Sequence, residues 1–265
     1  MFRKIEVKYS DEKTLKIFQK FYKRTLVTNF ENNQIETYRQ IKKSIKEKEE
    51  SYFIILYVDE KGYPVCGVIF DYLKKTNTGF IEYIATNKRY SQKGLASKLL
   101  TETTKLLNSK AKDNGYDRIN FLACEVEKEK KIKKSKHYFW KKYGFKVLDF
   151  YYIQPPLDKT KKALSKMEFG IVSKAPKAEY FFNNIKKDVI KEMLEEYYED
   201  YKNEPSLKRM MKRLDKEKII KPKEIIYETS ASVTRSRLNV RPRLTDLISR
   251  SSPYRWTGSS SIPLA

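Results

Sequence analysis

Ile81-Glu82-Tyr83-Ile84-Ala85-Thr86-Asn87-Lys88-Arg89-Tyr90-Ser91-Gln92-Lys93-Gly94-Leu95-Ala96-Ser97-Lys98-Leu99-Leu100 reads as a strand, a short basic loop, a glycine and the start of an amphipathic helix. The first N–H groups of a helix have no partner within it and carry the positive end of its dipole. A strand that enters a helix through a glycine-bearing turn therefore makes a cradle for phosphate. Gly94 removes the Cβ that would hold an anion off the backbone, and Lys88, Arg89 and Lys93 add positive charge. The candidate anion site is Ser91, Gln92, Lys93, Gly94, Leu95, Ala96 and Ser97. A plain strand-to-helix turn with a chance glycine gives the same local pattern, so the flanking sequence has to decide.

Upstream, Ile5–Tyr9 reads as a strand. Asp11–Leu26 reads as a helix with Leu15, Phe18, Tyr22 and Leu26 on one face, and Ile35–Lys48 as a second helix. Tyr52–Asp59, Val65–Leu73 and Phe80–Thr86 follow as strands separated by glycine-bearing turns. Downstream, Leu95–Lys112 is a long helix, Ile119–Val126 a strand and Lys133–Tyr143 a helix. Phe145–Ile153 and Lys166–Val172 are further strands. In Ser135-Lys136-His137-Tyr138-Phe139-Trp140-Lys141-Lys142-Tyr143-Gly144-Phe145, Gly144 fits a helix stop that needs positive φ.

The loop and this helix-to-strand junction, in this order and with a strand between them, resemble the GNAT N-acetyltransferases of bacterial type. That family writes its acetyl-CoA loop as Gln/Arg-x-x-Gly-x-Gly/Ala. Here the positions hold Ser91, Gln92, Lys93, Gly94, Leu95 and Ala96, so Ser91 departs from the pattern. Gln154-Pro155-Pro156-Leu157 looks like a tag found after the sixth strand in some members. The resemblance covers roughly Phe2–Val172. It implies an α/β fold with a mixed six- to seven-stranded sheet flanked by helices.

Beyond that domain (1–172), a helical extension over 177–220 carries apolar residues at helical spacing, with Pro205 interrupting, and packs on the domain or on a partner. The Ser- and Arg-rich segment 228–265 has no periodicity, and lysine is absent after Lys223. It reads as a disordered tail, a piece of different coding origin or a nucleic-acid-binding arm.

Bulk properties narrow the function. The formal charge of +23 is the composition of a lysine-rich surface or the mark of a polyanion contact, with tRNA or ribosome the natural candidates. No apolar run approaches the ~18 residues of a membrane span, and the N-terminus lacks a signal-peptide core, so the expected compartment is cytoplasmic without membrane insertion. Cys66 and Cys124 read as buried free thiols. A lone histidine, His137, argues against a histidine metal site or a Ser-His-Asp triad, and no metal is expected. A homodimer is compatible with the sequence, which does not fix the oligomeric state.

The resemblance implies acetyl-CoA as cosubstrate and direct transfer of its acetyl group to a primary amine on a protein, a small molecule or an aminoacyl-tRNA. It places the pantetheine arm against Ile84, Ala85 and Thr86, whose backbone polarises the acetyl carbonyl. It makes Glu82 the candidate general base, against the plain reading of a glutamate on a solvent face. Glu125 and Glu127 border the same cleft. The family's tyrosine acid slot holds Trp140, which has no useful proton. Tyr143, then Tyr138, are the substitutes, although each helical step turns about 100° away from that slot. A thiolate can also leave unassisted, its pKa being about 8.5. The alternative is a GNAT-fold module that binds acyl-CoA, RNA or a protein partner without turnover, an alternative that Ser91 and Trp140 favour.

Overall fold

A computed structural model describes residues 1–127, 134–154, 157, 165–174, 182–198, 202–217, 220 and 222–224, all within the unit Met1–Tyr227. Pro155-Pro156, Phe181, the side chains of Glu127 and Ile185, and the segment 228–265 lie outside the described residues.

The chain opens with β1 (Arg3–Glu6) and α1 (Glu12–Phe21). Asp11 caps α1 by accepting from the N–H groups of Lys13 and Thr14, and Leu15, Phe18 and Phe21 face inward. The expected single helix to Leu26 does not hold: Tyr22–Leu26 widens into a π-helix before α2 (Val27–Asn29). Apolar spacing at 3.6 cannot reveal this, because the extra residue per turn is absorbed in the backbone. The widening delivers Asn29 and Phe30 to the cleft described below. Thr37 and Gln40 form a reciprocal capping box that starts α3 (Tyr38–Glu47).

Strands β2 (Tyr52–Val58), β3 (Pro64–Leu73) and β4 (Thr78–Thr86) form an antiparallel meander. Next come α4 (Leu95–Asp113), β5 (Phe121–Glu127) and α5 (Lys134–Lys142). The expected strand Phe145–Ile153 divides into β6 (Lys146–Leu148) and β7 (Tyr152–Gln154). Both pair with β8 (Ser165–Ser173). Val147 faces Gly170 and Tyr152 faces Met167, so the β6–β7 segment carries surplus residues that loop out. Helices α6 (Phe182–Tyr198) and α7 (Pro205–Lys216) and strand β9 (Pro222–Glu224) complete the described chain. Pro205 begins α7, where its missing N–H costs nothing, instead of interrupting a continuous helix.

The sheet order is β1-β2-β3-β4-β5-β8-β6-β9, with β7 also on β8. The mixed sheet flanked by helices is the expected one; among the described residues it counts nine strands because one expected strand is split and β9 adds an edge. One face carries α4 and α5 over a core that includes Phe70, Leu99, Leu107, Leu122 and Trp140. The other face carries two cores side by side: α1 and α3 over β2–β4, and α6 and α7 over β5 and β8. Cys66 and Cys124 are buried free thiols. Among the described residues no helix is long and apolar enough to cross a membrane.

Gly67 on β3 lets α1 lie close to the sheet. A Cβ there would stand 2.5 Å from Leu56 Cδ2 and 2.6 Å from the Phe21 ring. Overpacking of this kind costs about 1–3 kcal/mol. Gly67→Ala is therefore expected to lower the urea midpoint with the m-value unchanged. An unchanged midpoint would mean that α1 does not press on β3 in this way.

Candidate active site

Strands β4 and β5 are parallel but pair only from Thr78–Phe121 to Ile81–Cys124. Beyond that point each runs on without the other, β4 to Thr86 and β5 to Glu127, and a V-shaped gap opens between them. A β-bulge lies at the vertex. Ile69 faces Tyr83 and Phe70 faces Ile81, which leaves Glu82 as the extra residue. The bulge breaks the alternation of the strand. Ile81 points into the α4 core, whereas Glu82 and Tyr83 both serve the opposite face, beside Tyr52.

After Thr86 the chain turns through a 3-10 segment, Lys88–Tyr90, capped by the Asn87 side chain. The Asn87 N–H donates to Val65 O at 2.8 Å, and the Tyr90 hydroxyl to Asp59 Oδ2 at 3.0 Å, so this turn is tied to the β2–β3 hairpin. Gln92 and Gly94 then take positive φ, 64° and 72°. The left-handed Gly94 followed by the right-handed helix from Leu95 turns successive N–H groups inward and makes an anion-binding nest. Ser91 and Gln92 form a hydrogen-bonded turn, and beyond it no described residue accepts a hydrogen bond from the N–H groups of Gly94 through Ser97; the helix ladder begins with the Lys98 N–H donating to Gly94 O. Gly94 is the N-cap of α4 with no side-chain cap, and a Cβ on it would meet nothing within 4 Å. Glycine is thus required here by its φ and not by packing.

A cavity of about 700 Å³ runs from this loop into the gap. Ser91, Gln92, Gly94, Leu95, Ala96 and Ser97 line one end, and Ile84, Ala85 and Thr86 line the diverging strand. Lys93 is exposed and outside the lining, its ammonium 5.3 Å from the Tyr90 ring centroid. Asn29, Phe30 and Gln34 form one wall. Tyr138, Phe139, Trp140 and Lys142 of α5 form another, and Glu82, Glu125, Gln154 and Met167 lie towards the vertex.

The aromatic candidates separate. Tyr138 lines the cavity and is 57% exposed. Tyr143 is not in the lining; its ring packs on Phe139 with centroids 5.1 Å apart. Trp140 is buried and lines the cavity, edge-on to Phe145 at 4.8 Å, so the indole that fills the tyrosine slot is a structural wall. Phe21 is core, and the Tyr22 hydroxyl donates to Glu36 O at 2.9 Å.

The vertex is acidic. Glu82 Oε2 accepts from the Tyr52 hydroxyl at 2.9 Å, whereas Oε1 is shut from water without a partner. Burial holds this carboxyl well above its ordinary range, reinforced by the charges of Glu36 and Asp71 and opposed by the nearby Tyr197 hydroxyl and the hydrogen bond from Tyr52. Burial likewise pushes Glu36 up to about 7, with Lys48 opposing and Glu125 adding to the rise. Asp71 is raised by burial, against the pull of Lys48 at 3.6 Å and the Tyr197 hydroxyl at 3.2 Å. Glu125 is raised by burial and opposed by hydrogen bonds from Tyr152, Tyr198 and Gln154.

Sequence reasoning missed Glu36, Asp71, Gln154, Tyr197 and Tyr198. A lone carboxylate inside the apolar run Val68-Ile69-Phe70-Asp71-Tyr72-Leu73 was the available signal. The tyrosines on α6 offered none, because they also fit an amphipathic stripe.

The family model described as "Acetyltransferase (GNAT) family" matches residues 15–145. No curated protein sequence matches the chain. Among solved structures, a protein of Bacteroides thetaiotaomicron assigned to the GNAT family superposes with a TM-score of 0.52 at 15% identity, over 73% of this chain and 96% of that one. The ribosomal-protein-S18-alanine N-acetyltransferase of Escherichia coli gives 0.45 at 13% identity, over 66% and 96%. Ard1 from Thermoplasma volcanium gives 0.44 at 18% identity, over 64% and 99%. At 15% identity the likeness to the Bacteroides thetaiotaomicron protein is one of fold.

Proposed function

This chain belongs, through its residues 15–145, to the GNAT acetyltransferase family, and from that premise we propose that it transfers the acetyl group of acetyl-CoA directly to a primary amine. The observation that carries the reading is the run of unpartnered N–H groups from Gly94 to Ser97, which opens onto the gap between β4 and β5. A diphosphate supplies the acceptors that this nest lacks, and the open space at Gly94 fits its close approach. Lys88, Arg89 and Lys93 add long-range attraction.

Acetyl-CoA brings a thioester: the amine attacks its carbonyl carbon, the C–N bond forms, the C–S bond breaks and the thiol departs. Unpaired backbone groups of Ile84–Thr86, freed where β5 diverges, hold the pantetheine arm and polarise the carbonyl oxygen. Glu82 takes the proton that the ammonium must lose, burial having raised its pKa and so made it a stronger base than a solvated carboxylate. Tyr138 gives the thiolate its proton and regains one from the nitrogen as the amide forms, since Tyr143 is turned onto Phe139 and Trp140 has none to give.

A second reading, a non-catalytic acyl-CoA-binding module, is favoured by Trp140 in the tyrosine slot and by Ser91 in the loop. The two separate in one experiment. Acetyl-CoA is expected to raise the melting temperature, by about 2.7 kcal/mol of added stability at a hundredfold excess over Kd, and thiol release is expected to follow on addition of amine. A melting shift without thiol release from any amine, peptide or aminoacyl-tRNA supports the module. No shift at millimolar ligand removes both readings.

A further inference from the structure

Glu125 directly follows Cys124, the last β5 residue paired with β4, and Glu82 directly follows Ile81, the β4 partner of Cys124. The two carboxylates therefore leave the sheet at the same level, at the vertex. Both serve the face that carries α3 and α6: Glu82 through Tyr52, Glu125 through Tyr198 at 3.2 Å. Gln154 Nε2 donates to Glu125 Oε2 at 2.6 Å, and the Tyr152 hydroxyl donates to Oε1. These donors are neutral, and among the described residues neither Glu82 nor Glu125 forms an ion pair. Lys48 is engaged by Asp71 and Glu196. The lysine of the cavity wall, Lys142, has its ammonium 6.0 Å from the Tyr143 ring centroid.

An independent observation points the same way. Gln154 is only 4% exposed and lines the cavity, yet its amide oxygen has no hydrogen-bond partner. Glu82 Oε1 is in the same state. The nearby hydroxyls of Tyr52, Tyr152 and Tyr198 are already spent on the carboxylates. What the vertex lacks is a group made only of donors, and an ammonium is such a group, with three N–H bonds and no acceptor.

Resting on the acetyltransferase reading, we propose that the acceptor is a short unbranched diamine, with its reacting nitrogen at Glu82 and its second nitrogen held as an ammonium by Glu125 and the Gln154 amide oxygen. Chemistry requires the two nitrogens to differ. The reacting nitrogen gives up two protons, one to Glu82 and one that ends on the departing thiol, and ends as a neutral amide, which leaves Glu82 neutral as well. Glu125 takes no part in the proton transfer, and its ionised form is held by a cation that does not react. A monoamine leaves it uncompensated, and a substrate with a carboxylate at its far end is repelled.

The test is thiol-release kinetics of the full chain at saturating acetyl-CoA with three probes of equal length: diaminobutane, butylamine and aminobutanoate. A buried polar site rejects an analogue that leaves its groups unpaired by factors of ~100 and more. The expected kcat/KM for diaminobutane exceeds that for butylamine at least ~100-fold, with aminobutanoate lower still. Glu125→Gln is expected to shrink the diamine-to-monoamine ratio to within ~10-fold by raising KM for the diamine, since it removes the charge that selects the second nitrogen. Equal use of butylamine or aminobutanoate by the wild type overturns the diamine assignment while leaving acetyl transfer intact, whatever the variant does. An acetyl-CoA melting shift with none of the three probes turned over also overturns it. Absence of any melting shift strikes the acetyltransferase reading itself.

Discussion

Gly94→Val weakens acetyl-CoA binding at least ~100-fold while the protein stays folded. The expectation rests on two features of the same residue. Its φ of 72° lies in the left-handed region, where a β-branched side chain is a true outlier and even an ordinary L residue is penalised by about 1–2 kcal/mol. Valine escapes by moving φ negative, and that rotation turns the adjoining peptide planes, so the N–H groups flanking position 94 no longer converge. Hydrogen bonds to a charged group are each worth about 1.5–3 kcal/mol. Loss of two is about 3–6 kcal/mol, or a factor of ~10²–10⁴ in Kd. The fold should tolerate the change, because a Cβ at this position meets nothing within 4 Å. Titration calorimetry with acetyl-CoA, alongside the melting temperature of the free protein, measures both quantities. Gly94→Ala, with less strain, should fall between valine and wild type. A valine variant that binds like the wild type places the diphosphate elsewhere and removes the basis of the functional reading.

What could be read from the sequence follows from how far each feature reaches along the chain. The β4–loop–α4 unit and the α5–Gly144 junction are local: a strand, a glycine at positive φ and a helical stripe lie within a few turns of one another, and the structure has them where the residues put them. The acidic vertex is not local. Glu82 aims at Tyr52 only because the bulge against Ile69 and Phe70 shifts its face, and register against a partner strand is invisible in the strand itself. Asp71 meets Tyr197 across 126 positions of sequence, and Tyr198 reaches Glu125 from a helix outside the family match. The same limit explains the aromatic assignments on α5. Spacing could say that Tyr138 and Tyr143 face away from the Trp140 slot, but only the packing of Phe139 decides which of them lines the cavity.

Glu82→Gln should lower kcat by about 10²–10⁴, the usual worth of a positioned general base. Acetyl-CoA affinity should be little altered, since the nest lies at the far end of the cavity from the vertex. The pH profile separates this role from a structural one. Glu82 can accept a proton only when ionised, and its pKa is raised, so wild-type kcat should be low in acid and climb as pH rises through the raised value. The variant should lose that limb. Stability should move the other way. A carboxyl whose folded pKa lies above its unfolded one binds more protons in the native state, so its contribution to stability is fully present below the unfolded pKa and is lost as pH rises through the folded one. For Glu36 that window runs from 4.5 to about 7, and Glu82 shifts in the same direction. Gln at position 82 carries no charge to bury, so the variant should melt higher than wild type in alkaline solution, and the gap should close in acid. A slower and more stable enzyme is what a base strained by burial leaves behind when its charge is removed. A variant that is slower and also less stable at every pH would assign Glu82 to packing, and one with unchanged turnover would move the proton acceptor to Glu36 or Glu125.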